Sequence, residues 1–178
     1  MLAFAIDNFL PEKVFSSIST RVTKQPQYKT NQQTHDKDKS KWVDDFTTSI
    51  LDQMKENFIN RNIWLKDWNQ TFYKNCYQVA RAYTPDMPFP SAHLDPGGFV
   101  YYIHPAWEAE WGGRFYIEEI EQFIDPLPNR LIWVNPPTPH CVEPLTYKAP
   151  NNRMCIVGQP TGTMLPSHIQ NQKQLQVY

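Results

Sequence analysis

Three side chains have the chemistry and the spacing of a metal site. His93 and Asp95 stand one residue apart in the stretch SAHLDPGGFVYY. Residues i and i+2 of an extended strand point to the same face, so both side chains can reach one point while Leu94 turns the other way. A third ligand should come from a distant strand, and His140 in PPTPHCVEP is the best candidate.

Two imidazoles and one carboxylate form a facial triad. Such a set leaves three adjacent positions open on an octahedral metal, an arrangement that suits Fe(II) chemistry with O2. H-x-D pairs are common by chance, however, and on its own this pair favours an ordinary polar turn before Pro96 and Gly97. Cys141 follows His140 and is expected to face the opposite side, away from the metal. The choice between a turn and a metal site therefore depends on the rest of the chain.

Residues 1–71 are predicted to form a helical support region. AFAIDNFL indicates a short strand, PEKVFSSISTRV has the apolar spacing of a helix, and DDFTTSILDQMKENFINRNIW is the clearest helix, with Asp44 as its N-cap. Residues 23–41 are polar and almost free of aliphatic side chains. We expect this stretch to be a surface loop or a locally disordered segment.

Residues 72–160 are predicted to form a β core. Five short runs rich in β-branched and aromatic residues are separated by Pro, Gly and Asn turns: YQVARAY, GFVYYI, RFYIEEI, RLIWVN and RMCIVGQ. This pattern is typical of an antiparallel sandwich or barrel. Residues 161–178 form a polar tail. The 178 residues fit one domain, mainly β with flanking helices (α+β).

Composition disfavours nucleic-acid-binding, membrane and disulfide-rich proteins. The chain has 17 basic and 18 acidic residues and a formal charge of −1, which disfavours nucleic-acid and membrane surfaces. Its three cysteines have no metal-like spacing and predict buried free thiols in a reducing compartment. The N-terminus is a poor signal peptide, and no apolar run approaches the roughly 18–20 residues that span a bilayer. We therefore expect a cytoplasmic protein without membrane association.

The order of motifs resembles the prolyl-4-hydroxylase-like branch of the Fe(II)/2-oxoglutarate-dependent dioxygenases. After the H-x-D pair come the strand FVYYI, a loop with tryptophans, GG at 112–113, NRL at 129–131, His140, and Arg153 at the start of the last strand. The resemblance covers about residues 72–160, with a looser likeness in IDNFLPEKVF. It implies a double-stranded β-helix core of the jelly-roll or cupin type, and Fe(II) bound by His93, Asp95 and His140.

The resemblance also implies a cosubstrate site. The 2-oxo and C1-carboxylate groups of 2-oxoglutarate would chelate the iron, and Arg153 would pair with the far C5 carboxylate, where a planar, permanently charged donor is needed. Lys148 is a rival anchor, although its Pro-flanked loop favours a solvated role. Tyr102 and Tyr83 match positions near the cosubstrate, and the plain alternative for both is core packing. His104 replaces an asparagine of the family, and we expect a structural role for it.

The implied reaction is hydroxylation of an unactivated C–H bond with O2, with ascorbate as a candidate reductant. A prolyl residue in a peptide or protein is the substrate that the resemblance favours. A free amino acid or other small molecule is the alternative within the enzyme class, and a non-catalytic β-sandwich or cupin-like binding protein is the alternative outside it. Nucleic-acid demethylation is disfavoured, because the chain is not basic and the last strand lacks a second arginine. The sequence leaves the oligomeric state open.

Overall fold

The computed structural model of the protein describes residues 2–29, 41–61, 76–81, 88–95, 97–158 and 175–177. The helices there are α1 Glu12–Val22, α2 Pro26–Lys29 and α3 Asp45–Asn60. The strands are β1 Ala3–Ile6, β2 Lys41–Trp42, β3 Cys76–Arg81, β4 Gly98–Tyr102, β5 Phe115–Ile117, β6 Gln122–Ile124, β7 Leu131–Val134, β8 His140–Val142, β9 Arg153–Gly158 and β10 Leu175–Val177. Two 3₁₀ turns cover Ala109–Trp111 and Glu118–Ile120.

The strands form two sheets with antiparallel pairing. The larger sheet has the order β10-β1-β7-β4-β9-β3-β2, and the smaller one has the order β6-β5-β8. This arrangement confirms the predicted mainly β class with flanking helices. Because β1 and β10 pair with each other and β1 also pairs with β7, the large sheet draws strands from outside residues 72–160.

Side chains alternate between the two faces of the large sheet, and both faces carry buried residues. Phe99 and Tyr101 of β4 belong to the apolar cluster that contains the buried faces of α1 and α3. Val100 and Tyr102 belong to a second cluster, together with Phe115 of the small sheet. The second face of the large sheet therefore covers the space between the sheets, which is where the candidate site lies.

Helix α3 begins at the predicted cap. The Asp44 carboxylate accepts from the backbone N–H of Thr47 at 2.7 Å, and the Thr47 hydroxyl accepts from the Asp44 backbone at 3.2 Å, which together form a capping box. The buried amide of Gln78 in β3 donates to the Thr47 hydroxyl at 2.7 Å. The cap thus also fixes the helix on the sheet. Over the described ranges, no helix has both the length and the apolar character needed to cross a bilayer.

The expectation for residues 23–41 is wrong in part. Residues Pro26–Lys29 form α2, and Tyr28 within it is buried. The Tyr28 carbonyl accepts a hydrogen bond from the backbone of Asn152, just before β9, at 3.0 Å. A single aromatic ring thus holds part of this polar stretch against the core. Residues 30–40 lie outside the described residues, and β2 begins at Lys41.

Asn129 of the NRL motif connects three segments of the core. Its buried side chain accepts from the backbone N–H of Leu10 at 2.9 Å and from the hydroxyl of Tyr101 at 2.8 Å, and it donates to the Leu10 carbonyl at 2.9 Å. Its φ of 59° lies in the left-handed region that asparagine tolerates better than most residues. The asparagine of the NRL motif therefore has a structural role in the core.

Asn129→Ala should lower the free energy of unfolding by about 3 kcal/mol, because it leaves buried polar groups of Leu10 and Tyr101 without partners. The matched control is Asn60→Ala, at the exposed end of α3, which should stay within ~0.5 kcal/mol of the unchanged protein. Urea unfolding followed by circular dichroism measures both. Equal stabilities of the two variants would contradict this account of the NRL motif.

Candidate active site

The H-x-D segment joins the small sheet through one backbone bridge. The N–H of His93 donates to the carbonyl of His140 at 2.9 Å, and the N–H of His140 donates to the carbonyl of His93 at 3.1 Å. His140 is the first residue of β8, in line with the expectation that the third ligand comes from a distant strand. The bridge therefore sets His93 directly opposite His140 at the start of β8.

The side chains of His93, Asp95 and His140 converge. The Asp95 Oδ2 atom lies 3.4 Å from Nε2 of His140 and 3.7 Å from Nε2 of His93. One ligand atom from each residue lies within 4.8 Å of the other two, and no other group of three such ligands is found in the described ranges. The three residues that the sequence predicted as ligands are thus together in space, and their donor set suits a divalent transition metal.

His140 is held in the form that a metal ligand needs. Its Nδ1 lies 2.8 Å from the carbonyl of Thr138, and because a carbonyl only accepts, Nδ1 carries the proton and Nε2 is left with its lone pair toward Asp95. The ring of Phe115 stacks on the imidazole at 5.0 Å between centroids. Burial lowers the pKa of His140, which keeps the ring neutral.

Asp95 and His93 differ from His140 in their exposure. The side chain of His93 is 57% exposed and that of Asp95 is 28% exposed, against 8% for His140. One side of the cluster is therefore open to solvent while the other is packed. Cys141 is buried outside the cluster, and burial raises the pKa of its thiol, so it stays protonated.

A cleft that is partly open to solvent adjoins the cluster in the space between the two sheets. Its walls include Asp95, His140, Phe115, Val100 of β4 and Val157 of β9. The backbone at Gly97, which also lines the cleft, passes close to Pro136: Gly97 has a φ of 86°, and a Cβ there would lie 2.6 Å from Cδ of Pro136. The turn directly after the H-x-D pair thus requires glycine.

Arg153 lies on the same face of β9 as Val157, since the two stand four positions apart in a strand, where side chains alternate. It is 2% exposed. Its Nη1 donates to the hydroxyl of Tyr102 at 3.4 Å, and its Nε has no hydrogen-bond partner in the part of the chain that the structure describes. A buried guanidinium with a free donor, and with no carboxylate paired to it in the same ranges, fits a bound anionic group.

Tyr102 faces this arginine, and Tyr101 faces the opposite side of the sheet, as the strand alternation predicts. Burial raises the pKa of Tyr102 to about 12 although Arg153 opposes the shift, so the hydroxyl keeps its proton and can donate it to an anion. The third predicted residue of the cosubstrate site, Tyr83, lies outside the described residues.

Two other sequence candidates are located away from the cluster. Lys148 forms a surface ion pair with Glu110 at 2.7 Å, with its side chain 46% exposed. His104 is fully buried, and both of its ring nitrogens contact backbone carbonyls. The sequence did not identify the carbonyl of Thr138 or the ring of Phe115 as part of the site. Only the alternation in FYI, which turns Phe115 and Ile117 to one face, could have indicated the latter.

His140→Ala should reduce the affinity for a divalent metal by more than the ~10–100-fold that loss of an outer-shell partner costs, because it removes one of three donors. Cys141→Ala, one residue along the same strand, is the matched control and should leave the affinity unchanged. Isothermal titration with Zn(II) and anaerobic Fe(II) measures both. If the two variants bind metal equally well, the His93, Asp95 and His140 cluster is not a metal site.

No protein-family model and no curated sequence matches the chain. Solved structures do match. A prolyl-4-hydroxylase from Pseudomonas putida is 16% identical with a TM-score of 0.56, over 89% of this chain and 91% of that one. A Trichoplax adhaerens prolyl hydroxylase, in complex with a peptide fragment of the hypoxia inducible factor oxygen degradation domain, is 17% identical with a TM-score of 0.52, over 87% and 82%.

The protein NgTET1, in complex with 5mC DNA, is 11% identical with a TM-score of 0.50, over 87% of this chain and 70% of that one. At these identities the matches establish the fold. The two facing antiparallel sheets, the helices on one face and these three likenesses agree with the predicted core. The chain therefore has the double-stranded β-helix fold of the prolyl-4-hydroxylase-like Fe(II)/2-oxoglutarate-dependent dioxygenases.

Proposed function

We propose that this protein is an Fe(II)- and 2-oxoglutarate-dependent oxygenase that hydroxylates an unactivated C–H bond. The observation that carries the proposal is the convergence of His93, Asp95 and His140 at one end of a cleft, with the buried guanidinium of Arg153 on the same inner sheet face. The three side chains suit a metal, and the guanidinium suits a carboxylate at the far end of a ligand. The metal ligands and the guanidinium thus offer the two kinds of group that a chelating 2-oxo dicarboxylate needs at its two ends.

In this proposal His93, Asp95 and His140 hold Fe(II). Bound Fe(II) with 2-oxoglutarate supplies the activation of O2, which protein side chains cannot perform. The role of His140 is to present a neutral, correctly oriented nitrogen, since Thr138 accepts its Nδ1 proton and Phe115 fixes its plane. Asp95 offsets part of the positive charge of the metal. Ascorbate is the reductant that we propose for maintaining Fe(II).

Arg153 and Tyr102 bind the far carboxylate of 2-oxoglutarate in this proposal. The guanidinium offers its free Nε donor and a permanent charge in a dry site, where an ion pair is stronger than in water. The Tyr102 hydroxyl accepts from Arg153 and has its own proton to donate. Neither residue takes part in bond breaking. Both determine how the cosubstrate lies relative to the metal ligands.

The proposed substrate is a prolyl residue in a peptide or protein. Two observations support this choice: two of the matching structures are prolyl hydroxylases, one of them with a bound peptide, and the open side of the cluster exposes both His93 and Leu94. A free amino acid or other small molecule is the second candidate, because the solvent-exposed side of the metal cluster is also accessible to a small substrate. DNA, as in the NgTET1 complex, is disfavoured by the net charge of −1.

Arg153→Ala should weaken 2-oxoglutarate binding by roughly 100-fold, equivalent to about 3 kcal/mol, because a buried charge pair loses one partner. Fe(II) affinity should stay unchanged. Lys148→Ala is the matched control, since it removes a cation that pairs at the surface with Glu110, and it should bind 2-oxoglutarate normally. Anaerobic titration of the Fe(II)-loaded protein, followed by the visible charge-transfer band of the chelate, measures both affinities.

The same titration tests the proposed function as a whole. If folded, Fe(II)-loaded protein gives no chelate band with 2-oxoglutarate, the oxygenase proposal fails and a non-catalytic binding protein becomes the better account. If the band forms but Arg153→Ala and Lys148→Ala behave alike, the anchor for the far carboxylate is another residue.

A further inference from the structure

The imidazole of His104 has a backbone carbonyl against each ring nitrogen. Its Nδ1 lies 3.1 Å from the carbonyl oxygen of Met154, and its Nε2 lies 2.6 Å from that of Pro126. Carbonyl oxygens only accept hydrogen bonds. Both contacts are therefore hydrogen bonds only when the ring carries two N–H groups, which is the imidazolium form. In the neutral form one nitrogen lone pair faces a carbonyl oxygen.

Burial, together with the charge of Arg153, opposes the imidazolium form of His104 when the anion site is unfilled. The ring is 0% exposed, and burial lowers the pKa of His104 to about 3, with the charge of Arg153 as a further cause in the same direction. The ring also contacts Trp107 at 4.5 Å and Tyr102 at 5.6 Å between centroids, and neither offers a negative charge. At neutral pH one of the two carbonyl contacts is thus left without a proton.

The ionisable groups on the elements around the ring are few. Strand β9 contributes Arg153, strand β4 contributes Tyr102, and the segment that carries Pro126 contributes Asp125 and Arg130, of which Arg130 pairs with Asp7 at 2.9 Å. The loop after β4 contributes only the uncharged Trp107 at ring-contact distance. Among them, Arg153 is the cation that opposes a proton on His104, and its charge is the one that a bound ligand would cancel.

His104 also holds the backbone that carries Arg153. Met154 follows Arg153 directly in β9. Its carbonyl oxygen accepts from the backbone N–H of Ile103 at 3.1 Å and faces Nδ1 of His104 at 3.1 Å. On the other side of the arginine, Gly113 lies so near that a Cβ there would be 3.1 Å from Cδ of Arg153. A change in the hydrogen bond between His104 and Met154 therefore acts on the position of the guanidinium.

We propose that His104 is a positioning residue that takes up a proton when a dicarboxylate binds Arg153, so that cosubstrate binding and protonation of His104 are linked. This inference rests on the proposed function. The bound carboxylate cancels the opposing charge, both ring nitrogens then donate to Met154 and Pro126, and the proton comes from the buffer. Since binding raises the proton affinity of the ring, the reciprocal effect is tighter dicarboxylate binding as the pH falls.

The test is the number of protons taken up with the ligand. Titration calorimetry of 2-oxoglutarate into Zn(II)-loaded protein, below the ordinary histidine pKa of ~6.5, is performed in two buffers of different ionisation enthalpy. The control ligand is 2-oxobutyrate, which has the same chelating group and lacks the far carboxylate. We expect 2-oxoglutarate to take up more protons than 2-oxobutyrate, with an excess of up to about one per site.

Variants show whether His104 accounts for the additional protons taken up with 2-oxoglutarate. His104→Asn keeps a polar, neutral side chain and should abolish the excess, whereas Trp107→Phe, which changes the neighbouring ring but not the histidine, should keep it. If His104→Asn does not fold, the ¹⁵N spectrum of labelled histidine in the unchanged Zn(II) protein replaces it. Both ring nitrogens of His104 should then become protonated with 2-oxoglutarate and not with 2-oxobutyrate.

The outcomes separate this inference from the function on which it rests. An excess that persists in His104→Asn, or a folded protein that binds 2-oxoglutarate more tightly than 2-oxobutyrate with no excess of protons, overturns the role of His104 alone. Equal affinities for the two ligands mean that Arg153 does not anchor the far carboxylate, and both proposals then fail.

Discussion

Two backbone hydrogen bonds between His93 and His140 fix the relative position of segments that are far apart in the chain. They add the H-x-D segment to the free side of β8, and the side chains of Asp95 and His140 then face each other across 3.4 Å. The rest of the site follows from this pairing. The carbonyl of Thr138, two residues earlier, orients the imidazole of His140, and Gly97 leads from the H-x-D segment into β4.

The second constraint is a buried positive charge. Arg153 lies between the sheets with one free donor, and a guanidinium in such a place is costly unless an anion joins it. The fold tolerates it through Tyr102, which accepts from it, and through His104, which stays neutral nearby. A buried guanidinium with a donor left free can accept an anionic group, and the proposed function assigns that place to the far carboxylate of 2-oxoglutarate. In the proposed function, His104 therefore acts on the anchor and not on the metal.

Part of the site could be predicted because its chemistry depends on residue types. Two imidazoles, a carboxylate and an arginine at the start of an apolar strand are visible in a sequence, and the strand alternation places Tyr101 and Tyr102 on opposite faces. His140 was expected on a distant strand, but the bounds of β8 were not predicted, because its three residues stand among prolines, where turn signals outweigh strand signals. Strands β6 and β10 were missed because each has three residues and a partly polar composition.

Other features depend on tertiary contacts that no local pattern reports. The burial of Tyr28 in a polar stretch requires the neighbouring backbone of Asn152. The carbonyls of Thr138, Met154 and Pro126 act on the two buried histidines as main-chain groups, so their residue types carry no signal. The sequence thus indicated which side chains could do chemistry, and the fold determined how each one is oriented and protonated.

The central claim is that the chain couples 2-oxoglutarate turnover to oxygen transfer. It is tested most directly by incubating the Fe(II) protein with 2-oxoglutarate and ¹⁸O2 against proline-bearing peptides and free amino acids, with succinate and product mass measured together. The account predicts succinate in step with the gain of one ¹⁸O atom in a prolyl peptide, and neither product in His140→Ala. Protein that binds Fe(II) and 2-oxoglutarate but forms no succinate with any of these compounds would contradict it.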